Sequence, residues 1–260
     1  MAFPAVHADF APAVRRGKLH LSTFCQFPDP NVIEAMAKSR LDSLIFDMQH
    51  GMFDEAAVLA SVAAAALEGK PAFVRLPVDA GGVSSRVLDF GAAGVVCPMV
   101  NTAADARRMV SYVKFPPLGG RSWGPRRAIP LSGLSGPEYL LRANELTLAI
   151  AMIETQQALD NLDSILATPG IDGVFVGPSD LAVSLSEGAS LESTKVSSAL
   201  DKVAARAKAA GKFAGVFAIN PAYASDCAGR GYSFIALMQD AMFMQQAADG
   251  AVEAVRGGGR

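Results

Sequence analysis

Eight short β-rich segments alternate with alanine-rich helical segments along the whole chain, and this alternation restricts the fold more than any other feature of the sequence. Repeated βα units are joined by right-handed crossovers, so successive strands lie parallel and bury both faces. The strands are expected near 19–24, 43–47, 72–75, 94–97, 148–153, 173–176, 213–217 and 234–237. The intervening helices include 30–39, 55–68, 84–90, 103–113, 194–210 and 222–229, most of them stopped by a glycine or a basic residue. Eight such units favour an α/β fold of the (β/α)8 barrel type over an open doubly wound sheet.

The 260 residues suffice for one such barrel, and no composition shift marks a linker. A single domain over 1–260 is expected, with the barrel itself at about 15–255. Hydrophobic residues at 51% against 18% charged argue against disorder except at the two ends, such as the tail 257–260. A formal charge of −2 offers no electrostatic footprint for nucleic acid. Three widely spaced cysteines, Cys25, Cys97 and Cys227, fit packing positions better than disulfides or a thiolate metal site. The N-terminus lacks a basic region followed by an apolar one, and no apolar run reaches the roughly 18 residues of a membrane span, so a cytoplasmic protein without membrane or nucleic-acid partners is expected.

Four apolar strands end in charge. The run Leu44-Ile45-Phe46-Asp47-Met48-Gln49-His50-Gly51 breaks from strand into an acid, an amide, an imidazole and a glycine; Arg75, Glu154 and Asp180 end or follow three more. Four such endings point to one polar site at the carboxyl edge of a parallel sheet. Glu154 and Asp180 follow adjacent strands, roughly 5 Å apart, so their carboxylates can converge. Two carboxylates with open positions suit a hard divalent cation, Mg²⁺, Mn²⁺ or Co²⁺, whose other ligands are water or substrate oxygens; strand-end acids salt-bridged to neighbours are the plainer reading. The helix opening at Gly177-Pro178-Ser179 offers free amides to a substrate carboxylate. Arg75 suits a developing oxyanion, or else an ion pair with Asp47 or Asp89. The three-residue spacing from Asp47 to His50 lets the carboxylate orient the ring and raise its basicity. The other histidines are His7, near the terminus, and His20, at the start of the first strand.

One long irregular stretch, 114–137, carries glycines, arginines and the only tryptophan. It is expected either to approach an anion, as an active-site loop, or to form a surface or oligomer contact. No lysine ends a strand: Lys18, Lys70 and Lys212 precede strands, and the others lie in helices or open that loop. A Schiff base therefore has no candidate nucleophile. Neither a P-loop nor a strand-GxGxxG-helix unit is present, so hydride and phosphoryl transfer lose ground.

With Asp47-Met-Gln-His-Gly51, Phe73-Val-Arg75, Leu88-Asp-Phe-Gly-Ala-Ala-Gly-Val-Val-Cys-Pro-Met-Val100, Met152-Ile-Glu154 and Asp172-Gly-Val-Phe-Val-Gly-Pro-Ser-Asp-Leu181 in order, the chain resembles the HpcH/HpaI family of metal-dependent class II 2-keto acid aldolases. The resemblance runs from about Arg15 to the last helix. It implies a (β/α)8 barrel whose last helix is swapped with a neighbour in a homo-hexamer. It also implies Glu154 and Asp180 as metal ligands, Arg75 as the enolate-stabilising group, His50 with Asp47 as the proton-transfer dyad, and Asp89 as a further acid. The segment Gly177, Pro178 and Ser179 would hold the keto-acid carboxylate, and Phe217 would meet the donor's third carbon. Gln49, Met152 and Phe24 stand where members often carry Glu, Gln and Trp, and Arg121-Ser122-Trp123-Gly124 replaces a frequent Arg-Gly-x-Gly. These changes bear on donor and acceptor preference, with Gln49 and Arg121 counted among the substrate-contacting residues.

The function expected is reversible aldol cleavage of 4-hydroxy-2-keto acids to pyruvate, or hydroxypyruvate, and an aldehyde. An acyl-CoA lyase of the malyl-CoA or citramalyl-CoA type, an oxaloacetate decarboxylase on the same barrel, and a non-catalytic binding subunit are the alternatives.

Overall fold

A computed structural model describes residues 10–185 and 193–257; His7 and the tail 258–260 lie outside the described residues. Eight parallel strands close in sequence order into a barrel: β1 (His20–Cys25), β2 (Leu44–Asp47), β3 (Ala72–Arg75), β4 (Gly94–Cys97), β5 (Leu148–Ile153), β6 (Gly173–Val176), β7 (Phe213–Ala218) and β8 (Phe234–Gln239). The (β/α)8 expectation is met, and strands read as continuous apolar runs are buried on both faces.

Aromatic rings fill the barrel interior. Phe73, Phe175 and Phe234 are fully buried, and Phe73 meets Phe234 with ring centroids 5.0 Å apart. Each buried phenylalanine contributes about 1.5–3 kcal/mol relative to exposure. Room for them comes from glycines on neighbouring strands. A Cβ at Gly173 would lie 2.6 Å from the Phe213 ring, and one at Gly215 would lie 2.7 Å from that of Phe175. The strand-beginning mouth is plugged by the helix Phe10–Arg15, whose Ala11 and Val14 join this inner cluster. His20 lies there too, its Nε2 2.8 Å from Ser43 Oγ and its ring stacked 5.2 Å from Phe234. Burial pushes its pKa down to about 4, against an opposing pull from Asp42. A second apolar layer joins the outer strand faces to the surrounding helices.

Helix boundaries follow local chemistry. Thr102 and Ser135 form capping boxes with Asp105 and Glu138, which start the helices Ala103–Val113 and Gly136–Leu146. The second of these corrects the sequence reading of 114–137 as one irregular loop: a short helix, Ala128–Ser132, forms inside it and another begins at Gly136. Its irregular part begins at the mouth opposite the strand-end charges. Lys114 is buried there, and its Nζ donates to Thr147 O at 2.7 Å, Asn144 O at 2.9 Å and Asp172 Oδ2 at 2.7 Å, all just before β5 and β6. The last helix, Asp240–Gly257, buries only Asp240 and leaves Met244, Val252 and Val255 open to solvent. Among the described residues no helix is long and apolar enough to cross a membrane, and Cys25, Cys97 and Cys227 are free thiols.

Candidate active site

Strand register places the charged residues at one level. Asp47 and Arg75 are direct partners across β2 and β3, and their side chains form a two-contact ion pair, Nε to Oδ1 at 2.8 Å and Nη2 to Oδ2 at 2.5 Å. Asp47 is fully buried, and its Oδ1 also accepts the backbone N–H groups of Gln49 at 3.1 Å and His50 at 3.2 Å. One carboxylate therefore holds the guanidinium and shapes the turn that presents the imidazole. Gly51 is required in that turn, since a Cβ would approach Asp47 O to 2.4 Å. The Phe24 ring closes the other face of Arg75, with Cζ 4.3 Å from the ring centroid.

Glu154 follows β5, is 3% exposed and accepts the Met99 backbone N–H at 2.7 Å through Oε1. Burial raises its pKa and Asp180 adds to the rise, while the Met99 N–H and Arg75 oppose it. Met99 adopts φ 56°, a left-handed conformation that side chains disfavour, and in it the amide is aimed at the carboxylate. The other oxygen faces Asp180. A Cβ built on Gly177 would lie 3.1 Å from Glu154 Oε2 and 3.4 Å from Asp180 Oδ2, so glycine keeps open the space on which both carboxylates converge. Among the described residues no cluster of three or more His, Cys, Asp or Glu forms a metal site, so any ion here would rest on two protein carboxylates.

Arg75, His50, Asp180, the Gly177–Pro178–Ser179 segment and Phe217 line one cavity of about 160 Å³ at the carboxyl mouth. Its wall also includes Phe24, Met152, Phe175 and Gln239. A larger cleft of about 480 Å³ lies between the loops after β3 and β4. The converging carboxylates are not in its wall, and its Arg108 is already paired with Asp79 and Asp105.

Three sequence expectations are corrected. The Asp47 carboxylate bonds the backbone of His50 and the Arg75 guanidinium, not the imidazole ring, because strand register puts Arg75 beside it. Asp89 ends the helix Gly81–Asp89 five residues before β4, so it lies at the opposite mouth, 2.5 Å from Arg121 Nη2. Arg121 is fully buried there with its Cζ 4.5 Å from the Phe115 ring centroid, and neither residue reaches the cavity of its own chain. The physical reason is the polarity of a βα unit: every segment between a helix and the next strand returns to the strand-beginning end. Gln49 is outside the cavity wall as well, with its side-chain Oε1 buried and unpartnered.

Two polar contributors were not found from the sequence. The Met99 amide has no side-chain signature, and Gln239 sits at the end of the eighth strand beyond the expected boundary at 237.

The profile of the family described as HpcH/HpaI aldolase/citrate lyase matches residues 21–247. A hydroxypyruvate/pyruvate aldolase of Rhizorhabdus wittichii is 38% identical over 234 residues, covering 89% of this chain and 92% of that protein. A 2-keto-3-deoxy-L-rhamnonate aldolase of Salmonella gallinarum is 33% identical, covering 92% of this chain and 90% of that one. The crystal structure of an HpcH/HpaI aldolase/citrate lyase family protein from Burkholderia cenocepacia superposes with TM-score 0.88 at 30% identity, covering 95% and 99% of the two chains. The barrel, the strand-end charges and these matches together place the chain in the HpcH/HpaI aldolase/citrate lyase family.

Proposed function

We propose that this chain is a carbon–carbon lyase that cleaves 4-hydroxy-2-keto acids reversibly to pyruvate, or hydroxypyruvate, and an aldehyde through an enolate. The observation that carries this reading is the convergence of Glu154 Oε2 and Asp180 Oδ2 over Gly177, at the cavity that Arg75 lines. That donor set, two hard carboxylate oxygens with open space between them, fits a divalent cation of the Mg²⁺, Mn²⁺ or Co²⁺ type. When bound, such an ion supplies positive charge that eases enolate formation from the keto acid. The names of the relatives support the same chemistry, since those proteins are aldolases of hydroxypyruvate, pyruvate or a 2-keto-3-deoxy acid.

The chain's own residues then divide the work. Arg75, held rigid between Asp47 and the Phe24 ring, faces the developing oxyanion with a charge that is always present. The amides opening the helix Pro178–Ser184 receive the substrate carboxylate beside Ser179. His50 takes the proton from the 4-hydroxyl in cleavage and returns it in condensation. Phe217 and Phe24, whose rings lie 5.8 Å apart, wall the cavity against water.

The proposed assembly is a homo-oligomer, a hexamer in size, in which the last helix crosses to a neighbour; exposure along nearly the whole of Asp240–Gly257 supports it. Light scattering on the purified chain tests this, with a monomer refuting it. The thioester-lyase reading would need the cluster Arg121, Arg126 and Arg127 to receive a diphosphate, and Arg121 is buried and paired to Asp89.

The decisive experiment measures pyruvate release from 4-hydroxy-2-keto acids by metal-stripped protein, with and without Mg²⁺, Mn²⁺ or Co²⁺, beside Glu154→Gln. Metal-restored release that the variant lacks is expected. Release indifferent to chelation, or none under any condition, overturns the proposal.

A further inference from the structure

Gln239 owes its place in the cavity to an irregularity in the barrel. Between β1 and β8 the register runs Ser22 to Ala236 and then Phe24 to Gln239, so three steps on β8 oppose two on β1. The extra residue is absorbed at Met238, which adopts φ 57°. Bulges of this kind redirect the next side chain, and they recur beside active sites. A non-glycine residue persists in that conformation only where its surroundings over-determine it.

They do so here from both sides. Thr23 Oγ1 donates to Met238 O at 3.2 Å. On the far side of Gln239, the fully buried Asp240 carboxylate accepts the backbone N–H groups of Gln26 at 3.0 Å and Phe27 at 3.1 Å. Gln239 is thus clamped between two anchored residues, and its side chain lines the cavity next to Phe24. Among the described residues its carboxamide has no hydrogen-bond partner, although it offers two donors and an acceptor.

Strand order then assigns a half of the cavity. Glu154 and Asp180 follow β5 and β6, whereas Gln239, Phe24 and His50 belong to β8, β1 and the end of β2, across the ring from them. With the keto acid held at β5 and β6, the space before Gln239 is the half left to the aldehyde. Of the polar side chains in the wall, Arg75 is held by Asp47, His50 serves proton transfer, and Ser179 and Asp180 lie on the keto-acid side. The rest of the aldehyde side is phenylalanine.

We infer that Gln239 is a specificity-determining residue whose carboxamide hydrogen-bonds the α-hydroxyl of a hydroxylated acceptor aldehyde. This rests on the aldolase reading above. A wall that hydrogen-bonds a substrate hydroxyl discriminates against the analogue lacking it, because the amide is otherwise left unpaired.

The test compares condensation of pyruvate with glycolaldehyde and with propanal, as the ratio of their kcat/KM values, in the wild type and in Gln239→Met. Methionine keeps the length and removes the hydrogen bonds. The ratio within one preparation cancels any change in folded fraction. Wild-type preference for glycolaldehyde that falls about three- to tenfold in the variant, the range expected for one neutral hydrogen bond, supports the assignment. A ratio that stays the same, including equal loss with both aldehydes, overturns it. If the wild type condenses neither aldehyde in the presence of divalent metal, the aldolase reading itself fails, and that result is distinct.

Discussion

Replacing Asp47 with asparagine isolates the interaction that holds Arg75 in place. The carboxylate accepts four hydrogen bonds: Oδ1 takes Arg75 Nε and the backbone N–H groups of Gln49 and His50, and Oδ2 takes Arg75 Nη2. An asparagine keeps most of these only by placing its oxygen at the Oδ1 position. Its NH₂ then meets Nη2 donor to donor across a contact that was 2.5 Å. A hydrogen bond to a charged group contributes about 1.5–3 kcal/mol. The guanidinium side chain, 9% exposed, also loses the charge of its ion-pair partner. Removing one member of a buried pair costs about 3–5 kcal/mol. Because three of the four bonds survive, we expect the low end, about 3 kcal/mol. The cation–π contact with Phe24, about 1–2 kcal/mol, is too weak to substitute. Urea unfolding at fixed protein concentration measures the change. Turnover should fall about a hundredfold, as when a preorganised oxyanion donor is lost. A destabilisation below about 1 kcal/mol together with near-normal turnover would refute the claim that Asp47 positions Arg75.

Three further outcomes are expected. His20 is neutral in the folded state, with a pKa pushed down to about 4 by burial, whereas the unfolded chain takes up the proton near 6.5. Its contribution is therefore complete above pH 6.5 and is lost as pH falls toward 4, by about 3 kcal/mol in all; across that window the wild type should lose about that much stability relative to His20→Asn, and parallel curves would contradict the assignment. Lys114→Met removes three hydrogen bonds at the barrel floor, but Asp172 keeps Arg15 Nε at 2.8 Å and the Ala149 N–H at 2.7 Å, so a loss of about 2 kcal/mol is expected, read as a fall of roughly 5 °C in Tm. Met99→Gly preserves the left-handed amide that bonds Glu154 and should leave Mn²⁺ affinity within about twofold, whereas Met99→Val, which resists that conformation, should weaken it about tenfold by calorimetric titration.

Most of the architecture was legible because it is carried by local patterns. Alternation of apolar runs with alanine-rich segments marked all eight strands, and four of them, β3, β4, β5 and β6, begin and end where expected. The charged residues at the ends of β2, β3, β5 and β6 were visible as breaks in apolar runs, and the structure brings Arg75, His50 and Asp180 to one cavity with Glu154 beside Asp180. The position of Asp89 and Arg121 was also legible in principle. Asp89 ends a helix just before a strand and Arg121 follows the helix Ala103–Val113, and chain polarity sends the ends of such helices to the opposite mouth.

What the sequence by itself determined is therefore the periodic part: the strand and helix order, the parallel closed sheet, and which residues stand at its carboxyl edge. Only the tertiary structure decided how those residues are partnered. Register between β2 and β3 gave the Asp47 carboxylate to Arg75 instead of to the His50 ring. The left-handed peptide at Met99 turned a backbone amide toward Glu154, and the bulge at Met238 turned Gln239 into the cavity. Pairing across strands and backbone conformations outside the common regions depend on contacts between residues far apart in the chain, and no local pattern of apolar and polar residues encodes them.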